Sequence, residues 1–133
     1  MRVVDTERLL SGWLRAQPEI VALVEDRVYT ENPNRAVFPL LKINQIAGNP
    51  VFSRPLYLDE SLIQLDAYGG PKVQARHLID TTRELLAERF VGHHVDIGVV
   101  TAVNFGDLTY LPDDGYAPPK PRWIALASIY THP

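Results

Sequence analysis

Two long strand-like runs, Ile97–Leu111 and Arg122–Thr131, close this 133-residue chain and constrain its fold more than any other feature. The first is roughly three times the usual strand length. Between them lies a proline-rich acidic loop, Leu111-Pro112-Asp113-Asp114-Gly115-Tyr116-Ala117-Pro118-Pro119-Lys120-Pro121. The pair reads as a hairpin, with Gly98 and Gly106 marking bulges or bends in its first arm. Strands this long exceed what closing a small core requires, so they point to an assembly surface.

The rest of the chain supplies elements to pack against that hairpin. Asp5 is suited to cap a helix, with Val4 and Leu9 placed as a hydrophobic staple around it. Thr6, Leu9, Leu10, Trp13 and Leu14 recur at helical spacing, and Pro18 ends the run near Ala16. Ile20–Val24 reads as a further short helical turn. Val37–Ile46 reads as a strand with Pro39 at its entrance, followed by the turn Ala47-Gly48-Asn49-Pro50. In Leu56–Tyr68, Ile63, Leu65 and Ala67 alternate with Gln64, Asp66 and Tyr68, the pattern of a half-exposed antiparallel strand. Gly69-Gly70-Pro71 then opens an amphipathic helix carrying Ala75, Leu78, Ile79, Thr82, Leu85, Leu86 and Phe90 on one stripe. The expected fold is one α+β domain over residues 1–133, in the order α-β-β-α-β-β. It is an antiparallel sheet, open to a mixed arrangement, of about four strands packed by two helices.

Composition excludes several function classes. A domain of this size buries roughly two-thirds of its unfolded surface, so its core needs no metal or disulfide. The chain has no cysteine, which removes disulfides and thiolate zinc sites. Its net charge is −3, whereas a protein built to grip phosphate backbones carries a basic excess. No apolar run reaches the ~20 residues of a membrane helix. Acids at Asp5 and Glu7 stand where a signal peptide places its apolar core, so a soluble, non-exported chain without membrane contact is expected.

No constellation carries chemistry. His93, His94 and Asp96 lie on an irregular segment without a partner motif at ligand spacing, and read as solvated loop residues. The pairs Asp59/Glu60 and Asp113/Asp114 are sequence neighbours whose side chains point apart or into water, unlike a coupled acid–base pair. Gly69-Gly70 lacks the lysine and hydroxyl of a phosphate loop, and Pro71 removes an amide donor. Tyr57, Tyr68, Phe105, Tyr110, Tyr116, Trp123 and Tyr130 could stack on single-stranded bases, but few cations interleave them. An interface reading stands ahead of that one. No enzyme activity and no cofactor are expected.

The element order, with Phe38-Pro39-Leu40-Leu41-Lys42-Ile43, Leu62-Ile63-Gln64-Leu65-Asp66-Ala67-Tyr68, Gly98-Val99-Val100-Thr101-Ala102-Val103 and Arg122-Trp123-Ile124-Ala125-Leu126, resembles the tail terminator (tail completion) proteins of long-tailed bacteriophages. The resemblance implies a homo-hexameric ring on the head-proximal end of the tail tube, assembled in the bacterial cytoplasm and resident at the tail–neck junction of the virion. The ring would end tube growth and offer the surface to which the head joins. Its partners would be the tail tube protein on one face and a head–tail connector or stopper protein on the other. DNA would pass the lumen without specific binding. Arg54, Tyr57, Asp113, Asp114, Tyr116 and Trp123 are then candidates for subunit or partner contacts, and Asp59, Glu60 and Asp66 for the lumen. Exposed strand edges would pair across the subunit boundary. A head-completion or stopper protein is the alternative, and a small α+β ligand-binding domain a remote one.

Overall fold

The computed structural model describes residues 4–50, 58–92, 94–95 and 98–132. Helix α1 is Thr6–Arg15, and Asp5 caps it as its sequence predicts, accepting the Arg8 amide at 3.1 Å. Its buried side is Leu9, Leu10, Trp13 and Leu14. Pro18 does more than stop this helix: it opens α2, Pro18–Val24, at the first helical position, where its missing amide is not required. The strands are β1 (Val28–Tyr29), β2 (Leu40–Pro50), β3 (Asp59–Tyr68), β4 (His94–Val95), β5 (Gly98–Tyr110) and β6 (Arg122–His132). Helix α3, Lys72–Leu85, joins β3 to β4 and runs on into one π-helical turn, Leu86–Phe90.

The fold is α+β, and the four long strands and two long helices fall in the expected order. Helix α2 begins at Pro18, two residues before the helical turn Ile20–Val24 expected from the sequence, and two strands of two residues are additions, too short for periodicity to register. Among the described residues the sheet order is β1-β2-β3-β6-β5-β4. Only the β1–β2 pair is parallel, so the sheet is mixed.

All three helices pack on one face. Leu41 and Ile43 of β2, Ile63, Leu65 and Ala67 of β3, and Ala125 and Ile129 of β6 share one buried cluster with Leu10, Leu14, Ile20, Leu78, Ile79 and Phe90. Under α1 the apolar floor gives way to hydroxyls: Ser61 Oγ donates to Thr6 Oγ1 at 3.1 Å, and Thr131 Oγ1 lies 3.5 Å from the same atom. All three are buried, so each hydroxyl meets the need for a partner that burial imposes. At the start of β5, the Val4 methyls lie 2.6 and 2.9 Å from where a Gly98 Cβ would sit. Gly98 is therefore a close-packing glycine, not a bulge. Gly106 does lie in a bulge, where the β5 register shifts between Phe105 and Leu108.

The opposite face departs from simple alternation. Asp66 and Tyr68, expected on an exposed face of β3, are only 2% and 4% accessible, so the end of this strand is buried on both sides.

Phe90 joins the last turn of α3 to α1: it is fully buried, with its ring 4.8 Å from that of Trp13. Phe90→Ala should lower the unfolding free energy by about 3–5 kcal/mol, read as an earlier midpoint in chemical denaturation.

Candidate assembly surfaces

The closing hairpin is longer than its two strands. Beyond Tyr110, the Leu111 amide donates to the Arg122 carbonyl at 3.0 Å, and Asp113 and Lys120 exchange main-chain hydrogen bonds at 2.9 and 3.1 Å. Asp113 Oδ1 accepts the Gly115 amide at 3.0 Å, an Asx turn that sets the tip. The tip then bends over the end of β3. The Tyr68 hydroxyl donates to Asp113 Oδ2 at 2.7 Å, and Arg122 lies 3.4 Å from that hydroxyl and 3.7 Å from the carboxylate. Phe38, Tyr68 and Tyr116 close an aromatic cluster with ring centres 5.3–6.3 Å apart. Lys120 Nζ caps it, 5.0 Å from the Phe38 ring centre.

This latch has electrostatic consequences. The Tyr68 hydroxyl holds the Asp113 carboxyl below the usual carboxylate range; burial opposes that, and the Gly115 amide and Arg122 support it. Burial, then the bond to Asp113, pushes the Tyr68 hydroxyl well above the usual phenol range. A depressed Asp113 stabilises the fold above its unfolded value, about pH 4, and that contribution is lost as pH falls through the folded value. A raised Tyr68 acts oppositely, stabilising below about pH 10 and losing that contribution as pH rises through its folded value.

The described candidate contact residues, Asp113, Asp114, Tyr116 and Trp123, do not form one patch. Arg54 and Tyr57 lie outside the described residues, as do His93 and Asp96. Asp113 and Tyr116 are engaged inside the chain, while Asp114 is exposed at the tip. Trp123 faces α3 instead, its ring 5.1 Å from Tyr110 and 4.7 Å from the Arg76 guanidinium. Its indole nitrogen is enclosed without a hydrogen-bond partner.

Nor do the three acids assigned to a lumen share a surface. Asp59 and Glu60 are successive strand residues and point to opposite faces. Glu60 accepts a short hydrogen bond from the Tyr130 hydroxyl. Asp66 shares the face of Glu60 but lies about 20 Å further along the strand. It is buried, accepting from Gln64 Nε2 at 2.9 Å. Sequence reasoning missed Phe38 and Arg122 as latch residues. The Asp113-x-Gly115 spacing carried the turn, but nothing local showed which residues the turn would fall against. Among the described residues, no group of histidine and acidic side chains is arranged to hold a metal, and no helix is long and apolar enough to cross a membrane.

No family model and no curated protein matches this sequence. Among solved structures, the chain is similar to a chain in the virion of a native gene transfer agent particle. The likeness covers 92% of this chain and 91% of that one, with a TM-score of 0.58 and 13% identity. At that identity it is a likeness of fold.

Tyr68→Phe removes the hydroxyl at the centre of the latch and should lower stability at pH 7 by about 1 kcal/mol. The gap from the parent protein should narrow as pH falls below about 4, since protonating Asp113 removes the same interaction. Denaturation midpoints of both proteins across pH 3–7 measure this.

Proposed function

We propose that this chain is a structural protein of a phage-like virion: a tail terminator subunit that assembles as a homo-hexameric ring on the head-proximal end of the tail tube. The observation that carries the reading is the fold likeness, over nearly the whole length of both chains, to a chain of a gene transfer agent virion. The tail terminator resemblance of the sequence adds the finer assignment.

In this reading the ring acts by surface matching. One face continues the contacts of the tube, and the other refuses a further tube subunit and receives the connector or stopper protein. The extended hairpin supports it, because a tip fixed by Asp113, Tyr68 and Arg122 is pre-organised and spends little binding energy on ordering. Asp114, Gly115, Ala117, Pro118 and Pro119 are exposed at that tip, open to a partner. Of the acids assigned to the lumen, Asp59 and Glu60 keep some exposure, and as they point to opposite faces one of the two can line it. A net charge of −3 suits a channel through which DNA slides. No reaction is assigned: Asp113 and Glu60, the carboxylates bonded to tyrosines, hold the chain together. The site of action is the tail–neck junction, reached after assembly in the bacterial cytoplasm.

Tails assembled with and without the protein test the assignment by negative-stain microscopy. Overlong tubes are expected in its absence. Tails of normal length that fail to join heads would instead make it a stopper or head-completion protein. A chain that stays monomeric in light scattering even with tail tube protein present would end both ring readings.

A further inference from the structure

Residues 30–38, between β1 and β2, are held in place by side chains. None of them takes part in a main-chain hydrogen bond among the described residues. Lys42 Nζ donates to Asn32 Oδ1 at 2.9 Å, an exposed contact for which water competes. Just past the loop, Arg27 Nε donates to the Pro39 carbonyl at 2.8 Å. The apolar anchor is Phe38, which is half-buried, whereas the neighbouring Val37 is 56% exposed.

What closes on Phe38 comes from the hairpin tip, at the other end of the chain. The Tyr116 ring meets it edge-on with centres 5.3 Å apart, and Lys120 Nζ stands 5.0 Å from its centre. Tyr68 supplies the floor, 5.9 Å from Phe38 and 6.3 Å from Tyr116. The tip has ties of its own: Asp113 and Lys120 exchange main-chain hydrogen bonds, and Asp113 takes the Tyr68 hydroxyl. Two segments distant in sequence thus share one aromatic cluster, and only the tip has main-chain bonds beneath it.

We propose that the hairpin tip is a clasp for the 30–38 loop, and that the two segments open and close as one unit. Lifting the tip takes Tyr116 and Lys120 from Phe38 and leaves that ring on Tyr68 alone. The loop then keeps only its exposed Asn32 contact. Freeing the loop in turn takes Phe38 from Tyr116 and uncovers one side of the tip. Segments with few buried apolar contacts open locally, well below the cost of global unfolding, and contiguous ones open cooperatively. The coupling is reciprocal, because each segment stabilises the closed form of the other by the same free energy. A partner that grips the exposed tip at Asp114, Pro118 and Pro119 thereby also fixes the loop that carries exposed Arg35 and Val37. The clasp belongs to the single chain and does not rest on the ring reading.

Trypsin reads the loop at Arg35, while Pro121 after Lys120 keeps the enzyme from cutting the tip. Under limiting trypsin, cleavage after Arg35 follows the population of the open form. Asp113→Ala unties the tip without touching Phe38, and should raise that cleavage about fivefold. Tyr116→Ala, which removes one aromatic pair, should do the same, again about fivefold. Hydrogen exchange reads the opposite direction: Phe38→Ala should speed exchange of the Asp113 and Lys120 amides about fivefold. Ile79→Val loosens the buried core under α3 and should leave both readouts at their parent values. Cleavage after Arg35 that ignores Asp113→Ala, or tip amides that ignore Phe38→Ala, would show two independent segments and overturn the clasp. So would acceleration of both readouts by Ile79→Val, which would mean that they report global unfolding.

Discussion

One-sided burial of the sheet is the constraint on which the rest of the molecule depends. Small residues at the centre of β6, Ala125 and Ala127, sit beside Ile63 and Leu65 of β3, so α3 can lie close above the middle of the sheet. With three helices committed to that face, the other has no helical layer among the described residues. Its rows mix polar and apolar side chains: Lys42, Asp66 and Ile124 in one, Asn44, Gln64 and Leu126 in the next, and Ala47, Leu62 and Ser128 beyond. The helical layer is also narrower than the sheet. Strands β3 and β6 are well covered and β5 is not, which leaves Val103, Phe105 and Leu108 half-buried beside an open edge.

The hairpin tip answers the same constraint at one end. Strand β3 ends in Tyr68, a large ring on the face without helices, and water there would leave much apolar area exposed. Folding the proline-rich loop back places Tyr116 and Phe38 on that ring, and Arg122 and Asp113 on its hydroxyl. The acidic loop is therefore part of the fold before it is part of any contact. Proline content limits its freedom in the unfolded chain, which lowers the entropy lost on closing it.

What could be read from the sequence divides along the range of the interactions involved. The Asp5 cap, the Pro18 boundary, the stripe from Ala75 to Phe90 and the alternation of Ile63, Leu65 and Ala67 are local signals, and each fixed its element. Burial of Asp66 and Tyr68 was not legible, because the residues against Tyr68 come from 30 and more positions away: Phe38 on one side, Asp113 and Tyr116 on the other. The two-residue strands β1 and β4 exist only through pairing with β2 and β5, so no pattern of their own could announce them. The face that a strand residue takes reverses at every position. Hence Asp59 and Glu60 fell on opposite faces, and Trp123 on the side of α3.

Open strand edges expose a free chain to unwanted pairing, and this bears on how the edges of this sheet are built. Two long open strands with regular ladders would pair with any similar strand, since main-chain donors and acceptors carry no address. Bulges at Gln45/Ala47 in β2 and at Val100/Ala102 and Phe105/Leu108 in β5 remove that regularity. Glu7 further occupies the Gln45 amide from the side. What remains at each edge is side-chain chemistry: Asp5, Glu7 and Ile46 beside β2, and Phe105 with Asp80, Arg83 and Glu84 beside β5. The same irregularities that interrupt both ladders thus protect the free chain from indiscriminate edge pairing.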